Sequence, residues 1–421
     1  MKTALIAALA FAAASTAFVS DAIAAAPAIA NPLRVSMAPS QGRIDSFLGA
    51  VDVVVTNIAS TTVRLPKWQL PLSNGEGQVF SITRDGVPVR YIGRLVKWGV
   101  PGAADFAILR PGQAYRATVD LSASYDLSRP GQYVVTFVKP LQYASLSGGV
   151  RLKTNSGAPM LLQSAPMPLW KDSLTIAPSL IHGQSAPSPA FAVVTSRIDA
   201  PALPDSTAIL SRHTSDVPMP GLEPNPRCIP GIRGICDPPV QATTLNCTVQ
   251  REDLIKQAIT AARGYTENTK QYLLSDKQGD RYTWWFGTYL SDRYVTAQQN
   301  FTKIDAAMDQ NGGQISVNCA CDPQYQSAYA YVDPSQPYKI YVCNAFWAAA
   351  TTGTDSKAGT LIHEMSHFTV VADTNDWVYG QTGAHNLALS NPNRTSGNNA
   401  ANVVGNADSQ EYFSENTPTR N

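Results

Sequence analysis

The chain has 421 residues, of which 44% are hydrophobic and 15% are charged, and its formal net charge is +1. This length exceeds one ordinary domain, so we expect two domains with additional processed segments. No long run of like charges occurs, so neither a nucleic acid nor an anionic membrane surface is indicated as a partner.

The first residues are typical of a bacterial secretory signal peptide. Lys2 provides a positive start, Leu5–Val19 form an apolar core rich in alanine, and Ala22-Ile23-Ala24 gives the small-x-small pattern of a cleavage site. The apolar core is shorter than the roughly 20 residues of a membrane span. We therefore predict a signal peptide over residues 1–24 and an extracellular protein with no membrane span.

The next segment, residues 25–154, reads as an all-β unit. Its β-branched and aromatic runs are Val51–Thr56, Phe80–Thr83, Tyr115–Val119 and Tyr133–Phe137. Turn-forming pairs between them are Asp85-Gly86, Pro111-Gly112 and Pro130-Gly131. Short strands at this spacing predict a sandwich that is immunoglobulin-like in outline. The unit has no cluster of catalytic residue types, so we assign it a structural or inhibitory role.

Residues 155–240 are rich in proline and serine and contain few apolar runs. We predict a linker and activation segment here, open to proteolysis. Cys228 and Cys236 enclose a short loop of this segment.

Residues 241–421 predict an α+β domain. Apolar residues at helical spacing begin at Leu254, and a second helix is expected from Tyr282 to Met308. Three short strands follow, and a further helix begins near Asp355. The chain's six cysteines fall between residues 228 and 343, and an even number in an exported chain favours disulfides over metal ligation.

The helix near Asp355 carries the sequence His363-Glu364-Met-Ser-His367. Residues four apart lie on one face of a helix, so both imidazoles can bind one metal ion. Glu364 is then beside the first ligand, where its carboxylate can act on a metal-bound water. Two neutral imidazoles and a carboxylate, with one open position, are typical of a catalytic zinc site.

A third ligand is expected soon after this helix, in the segment from Asp373 to Gly380. Its Asp376-x-x-Tyr379-Gly380 pattern resembles the motif of the aspzincins, the family of deuterolysin and the peptidyl-Lys metalloendopeptidases. Ala372 and Asp373 replace the Gly-Thr of that motif, which leaves Asp373 as a rival ligand. The register with Tyr379 favours Asp376.

The resemblance extends over about residues 245–421 and is greatest to the peptidyl-Lys branch. It implies a zincin-like helical catalytic domain with a small sheet, one Zn²⁺ per chain, and a monomeric endopeptidase acting on protein or peptide substrates. Glu364 would be the general base and Tyr379 would stabilise the oxyanion. The lysine-binding acids would be Asp408 and Glu411. The disulfides implied are Cys247–Cys319 and Cys321–Cys343, which leaves Cys228 and Cys236 as a pair.

The β unit would then be a pro-domain that acts as an intramolecular inhibitor or chaperone. One of its lysines could occupy the lysine pocket, and the candidates are Lys67, Lys97, Lys139 and Lys153. No lysine occurs between Lys171 and Lys256, so a strictly lysine-directed enzyme could cut itself only at the start of the linker and not further inside it. Maturation would need another protease or acceptance of arginine.

Two other functions are compatible with the sequence. One is a peptidase of broader, deuterolysin-like specificity. The other is a catalytically silent binding protein stabilised by zinc. A structural zinc would need neither Glu364 nor Tyr379 and is usually closed by a fourth protein ligand, so the peptidase is favoured.

Overall fold

The computed structural model describes residues 31–40, 49–72, 77–154, 157–171, 241–275, 278–310, 312–390 and 403–421. The predicted signal peptide, the linker from residue 172 onward, Cys228 and Cys236 lie outside the described residues. Among the helices within these ranges, none is both long enough and apolar enough to cross a bilayer.

The described residues up to 171 form a β unit, except that one of their strands pairs with a sheet formed by residues after 240. In chain order the strands are β1 (Leu33–Pro39), β2 (Ala50–Asn57), β3 (Val63–Pro66), β4 (Phe80–Arg84), β5 (Val87–Pro88), β6 (Leu95–Trp98), β7 (Phe106–Leu109), β8 (Ala114–Asp120), β9 (Gly131–Pro140), β10 (Ser145–Leu146), β11 (Leu161–Gln163) and β12 (Met167–Lys171). Three sheets have the orders β1-β2-β8, β10-β3-β7 and β11-β9-β4-β5, and β12 also pairs with β9.

The four predicted runs of the β unit coincide with β2, β4, β8 and β9. In β2, alternate valines at 51, 53 and 55 are fully buried, as a strand with one face on the core requires. The turn from β4 to β5 passes through Asp85 and Gly86 at φ of 50° and 81°, conformations that aspartate and glycine tolerate.

The β unit continues beyond residue 154, where the sequence analysis ends it. Strands β11 and β12 pair antiparallel with β9 and bury Leu162 and Met167 against the core. Residues 161–171 are therefore part of the β unit and not of the linker, because proline is tolerated in an edge strand such as β12, which contains Pro168.

The C-terminal unit, residues 241–421, mixes helices with a small sheet, as predicted. Its elements are β13 (Thr243–Leu245), α1 (Val249–Leu274), α2 (Asp280–Phe286), α3 (Ser291–Met308), β14 (Ser316–Asn318), β15 (Ala328–Val332), β16 (Lys339–Val342), α4 (Asn344–Ala348), α5 (Lys357–His367), α6 (Gly380–Ser390) and α7 (Ala407–Glu415). Disulfides join Cys247 to Cys319 and Cys321 to Cys343, as the resemblance implies.

The prediction of one helix from Tyr282 to Met308 is wrong. The structure has two helices, α2 and α3, separated at Gly287. Gly287 has a φ of 80°, a left-handed conformation that favours glycine and ends a helix. A Cβ at this position would lie 2.7 Å from the carbonyl oxygen of Ala388, so the close approach of α6 also requires glycine.

Strand β6 joins the two units. The five-stranded sheet of the C-terminal unit has the order β13-β14-β16-β15-β6, so its last strand comes from the N-terminal region of the chain. Strand β6 is antiparallel to β15, with Val96 opposite Tyr331 and Leu95 opposite Val332. The sequence analysis missed this strand, whose partner lies more than two hundred residues away along the chain.

Candidate metal centre

Helix α5 carries the two histidines and the glutamate in the interior of the C-terminal unit. It begins at Ser356, whose hydroxyl accepts a hydrogen bond from the amide of Gly359 at 2.9 Å, as a helix N-cap does. All residues of α5 are buried, and His363, Glu364 and His367 have no exposed surface. The spacing of four residues places both imidazoles on one side of the helix, as expected from the sequence.

Asp376 meets the two imidazoles in the loop after α5. Its Oδ1 atom lies 3.1 Å from His363 Nε2 and 3.4 Å from His367 Nε2. Asp373, the rival ligand, is more than half exposed and pairs with Arg90 of the β unit. His385 stacks on Trp284 with ring centroids 3.7 Å apart and is not part of the cluster.

The buried atoms that face one another in this cluster lack hydrogen-bond partners among the described residues. They are Nε2 of both histidines, Oδ1 of Asp376 and both carboxylate oxygens of Glu364. Burying such atoms without a partner costs free energy, so a bound group is expected to satisfy them. Two imidazole nitrogens and a carboxylate oxygen are a set of donor atoms that fits zinc.

The far side of each imidazole also meets an oxygen. His367 Nδ1 donates to the carbonyl of Thr374 at 3.0 Å, and His363 Nδ1 lies 2.7 Å from Asp408 Oδ1. Such outer contacts fix the orientation of a metal-binding imidazole and leave Nε2 free for the ion. Burial lowers the pKa of His363, but Asp376 and Asp408 outweigh that effect and hold the pKa well above its ordinary value.

Asn406 holds the loop that carries Asp376, a contribution that the sequence analysis did not identify. Its side-chain oxygen accepts hydrogen bonds from the amides of Trp377 and Val378, each at 3.1 Å. Asn406 is fully buried and immediately precedes α7, so the loop and the start of that helix are fixed together. The only sequence indication is its position at the start of the segment that contains Asp408.

Tyr379 is buried beside strand β6 and contacts the β unit at two points. Its hydroxyl donates to the carbonyl of Val96 in β6 at 3.0 Å. The amide and carbonyl of Tyr379 also make two hydrogen bonds to the side chain of Gln142, each 2.8 Å long. Burial raises the pKa of Glu364 and of Tyr379 well above their ordinary values. Both groups are thus held in a dry site beside the ligand cluster.

Strand β6 delivers a lysine to a buried group of acids next to this cluster. Lys97 Nζ lies 2.5 Å from Glu411 Oε2, 3.3 Å from Asp408 Oδ1 and 3.6 Å from Asp355 Oδ1. Only 1% of the Lys97 side chain is exposed. The amide of Val96 donates to Asp376 Oδ2 at 3.0 Å, so the backbone beside Lys97 also touches the ligand cluster.

Charge balance keeps Lys97 protonated despite its burial. Burial lowers the pKa of this ammonium, but Asp408, Glu411 and Asp355 together hold it well above the ordinary value. Lys97 in turn lowers the pKa of Asp408 against the effect of burial. The sequence analysis named Asp408 and Glu411 as candidate lysine-binding acids but did not single out Asp355, which precedes α5.

Comparisons with known proteins point to one family. A family model described as lysine-specific metallo-endopeptidase matches residues 272–415. An extracellular protease of Aeromonas hydrophila is 33% identical over 400 residues, which span 95% of this chain and 96% of that protein. A peptidyl-Lys metalloendopeptidase of Pleurotus ostreatus is 41% identical over 178 residues, or 42% of this chain and 98% of that protein. The solved zinc peptidase from Grifola frondosa matches 42% of this chain and 100% of its own, with 39% identity and a TM-score of 0.37.

The Aeromonas relative is similar over nearly the whole chain, and the family model covers the helix with both histidines, the loop with Asp376 and helix α7. The chain therefore belongs to the aspzincin family and is a zinc metalloendopeptidase.

Proposed function

We propose that the protein is a secreted endopeptidase precursor that cuts peptide bonds on the N-terminal side of lysine. The observation that carries this proposal is the placement of Lys97 among three acids, Asp408, Glu411 and Asp355. The carbonyl of Val96, the residue just before Lys97, accepts a hydrogen bond from the Tyr379 hydroxyl. A buried pocket with several carboxylates is complementary to an ammonium group.

The metal would be a single Zn²⁺ held by His363, His367 and Asp376. When bound, the ion lowers the pKa of a water molecule and polarises the scissile carbonyl. Glu364 would take the proton of that water and later pass a proton to the leaving amine. Its burial supports this role, because a raised pKa brings a carboxyl group closer to neutral pH.

Tyr379 would donate its hydroxyl hydrogen to the carbonyl oxygen as negative charge develops there. In the structure the carbonyl of Val96 receives this hydrogen bond, so the Val96–Lys97 bond lies where we propose the scissile bond of a substrate to lie. Strand β6 would then be a substrate analogue that pairs with the sheet edge β15. A substrate would occupy the same edge with its lysine side chain against Asp408 and Glu411.

The β unit would act as an intramolecular inhibitor while β6 fills this groove. Of the four lysines considered, Lys67 and Lys153 are exposed. Lys139 is buried near the Tyr379 ring and donates to the carbonyl of Gly77, whereas Lys97 lies among three carboxylates, which favours Lys97. We propose an immunoglobulin-like pro-domain, a signal peptide over residues 1–24, and activation by cleavage between residues 172 and 240. The mature enzyme would be an extracellular monomer.

A map of cleavage sites on a denatured protein mixture tests the specificity. We expect mass spectrometry to find cuts before lysine with the activated chain and none with a Glu364→Ala variant. Cuts at many residue types that vanish in the variant would leave the peptidase but remove the role of Asp408 and Glu411. No cuts after activation would favour a silent zinc-stabilised binding protein.

A further inference from the structure

Strand β6 presents its side chains to two different surfaces of the C-terminal unit. Successive side chains of a strand point to opposite faces, so Lys97 and Leu95 share one face while Val96 and Trp98 share the other. Val96 packs in a cluster with Tyr325 and Tyr331, and the Trp98 ring meets the Tyr325 ring edge-on with centroids 6.0 Å apart. This second face is an aromatic surface beyond the metal centre.

Arg94, the third residue before Lys97, brings a positive charge to this aromatic surface. Its guanidinium pairs with Asp322 and lies 5.3 Å from the Tyr331 ring centroid and 6.0 Å from that of Tyr325. Burial lowers the pKa of Arg94, but Asp322 and the two tyrosines raise it above its ordinary value. A planar guanidinium is suited to pair with a carboxylate and stack on rings at once.

The loop that carries Asp322 and Tyr325 is also held by contacts within the C-terminal unit. Asp322 follows Cys321, whose disulfide to Cys343 ties this loop to the end of β16. Gln326 donates to the Cys321 carbonyl at 2.8 Å, and the Tyr325 amide donates to the Asp322 carbonyl at 3.0 Å. These contacts lie within the C-terminal unit, so the loop is tied to that unit independently of its contacts with β6.

We infer that Asp322, Tyr325 and Tyr331 form a second cation-binding subsite of the enzyme. It accepts an arginine located three residues before the lysine at which the substrate is cut. This inference rests on the proposed function, because it treats β6 as a guide to how a substrate lies on β15. The preferred substrates are therefore peptides with two basic residues in the pattern Arg-x-x-Lys.

Two peptides test this subsite on the full chain after activation by limited proteolysis. Each contains one lysine, and they differ only three residues before it, where one has arginine and the other the neutral isostere citrulline. A half-exposed ion pair together with ring stacking predicts that kcat/KM is about fivefold higher for the arginine peptide. The measured quantity is this ratio, which does not depend on the amount of active enzyme.

Asp322→Asn is expected to lower the ratio to about two, because the ion pair is lost while the Tyr325 and Tyr331 rings remain. Asp253→Asn, which removes an exposed carboxylate of α1, is the matched control and is expected to keep the ratio at about five. A reciprocal variant, Arg94→Gln, leaves the C-terminal unit unchanged and is expected to raise the residual activity of the unprocessed chain about fivefold.

Equal kcat/KM values for the two peptides in the unsubstituted enzyme would overturn the inference and leave lysine-directed cleavage intact. An unchanged ratio of about five in Asp322→Asn would also overturn it, since the discrimination would then lie elsewhere. If neither peptide were cut before lysine, the proposed function would fail and this inference with it.

Discussion

Replacing Lys97 with methionine tests whether β6 holds the enzyme silent. Methionine has a similar length and is apolar, so it fills the space of the lysine but cannot neutralise the acids around it. In the closed state Asp408 and Glu411, both nearly without exposed surface, would then be buried beside one another without their ammonium partner. When β6 leaves the groove, the same carboxylates regain water.

The expected shift follows from that difference between the closed and open states. Removing one partner of a buried ion pair typically costs about 3–5 kcal/mol, because the remaining charge stays uncompensated. Each 1.4 kcal/mol is about a factor of ten in an equilibrium constant, so the open fraction rises by about 100-fold to a few thousand-fold. Backbone pairing of β6 with β15 is unaffected by the substitution, so the remaining latency measures that contribution.

The assay compares hydrolysis of a lysine peptide by the unprocessed chain with hydrolysis by the same chain after proteolytic activation. We expect the Lys97→Met chain to be active before processing, with kcat/KM after processing equal to that of the unsubstituted enzyme. That second value checks that the catalytic unit has folded. Lys153→Met makes the same change at an exposed lysine of the β unit and is expected to stay latent.

Full latency of the Lys97→Met chain would refute this reasoning. Inhibition would then depend on the backbone of β6 and on the hydrogen bonds between Gln142 and Tyr379, and the buried ion pairs would contribute nothing to it.

Three further predictions concern the metal site and the packing around it. Asn406→Ala removes hydrogen bonds to the amides of Trp377 and Val378, so we expect bound zinc to fall and the free energy of unfolding to drop by about 2 kcal/mol, measured by metal analysis and urea titration. Removal of the metal with a chelator is expected to abolish hydrolysis and to lower the midpoint temperature of thermal unfolding. Added zinc is expected to restore both in the unsubstituted protein. In Glu364→Gln, added zinc is expected to restore the midpoint temperature but not hydrolysis. Burial lowers the pKa of Lys139 to about 8 in the folded protein, against 10.5 for an ordinary lysine. Between these two pH values Lys139 is protonated mainly in the unfolded chain, so the free energy of unfolding rises with pH over this range. Lys139→Met is expected to remove this rise and to increase the free energy of unfolding at pH 7 by at most about 3 kcal/mol. Urea titrations between pH 7 and 10.5 measure both effects.

The parts of the fold that the sequence predicted are those with local causes. The buried valines of β2 alternate because one face of that strand covers the core, and the two histidines of α5 share a face because they are four residues apart. The helix break at Gly287 has a local cause too, yet a single glycine inside an apolar stretch was not enough to reveal it. Its requirement comes from the carbonyl of Ala388, which is distant in sequence.

Strand β6 was missed because nothing in its own four residues marks it as a strand of the C-terminal sheet. Leu95, Val96 and Lys97 are all buried, so no alternation of polar and apolar residues appears. Their burial depends on β15 and α5, and that of Lys97 also on acids of α7, all of which the chain reaches only after residue 300. For the same reason Lys97 was one of four candidate lysines in the sequence, and Asp355 was not a candidate for the pocket at all.

Asp408 contacts both Lys97 and His363 and so connects the group of buried acids with the candidate metal centre. One carboxylate oxygen lies 3.3 Å from Lys97 Nζ and 2.7 Å from His363 Nδ1, while the other accepts from the amide of Gly380. The same side chain therefore meets the ammonium in the pocket and the outer face of an imidazole in the ligand cluster. Buried acids of this kind are costly unless a cation is present, so the groove is electrostatically complete only when a lysine fills it. In the proposed precursor, Lys97 would relieve that cost during folding, and the backbone of the preceding Val96 would contact Asp376 and Tyr379.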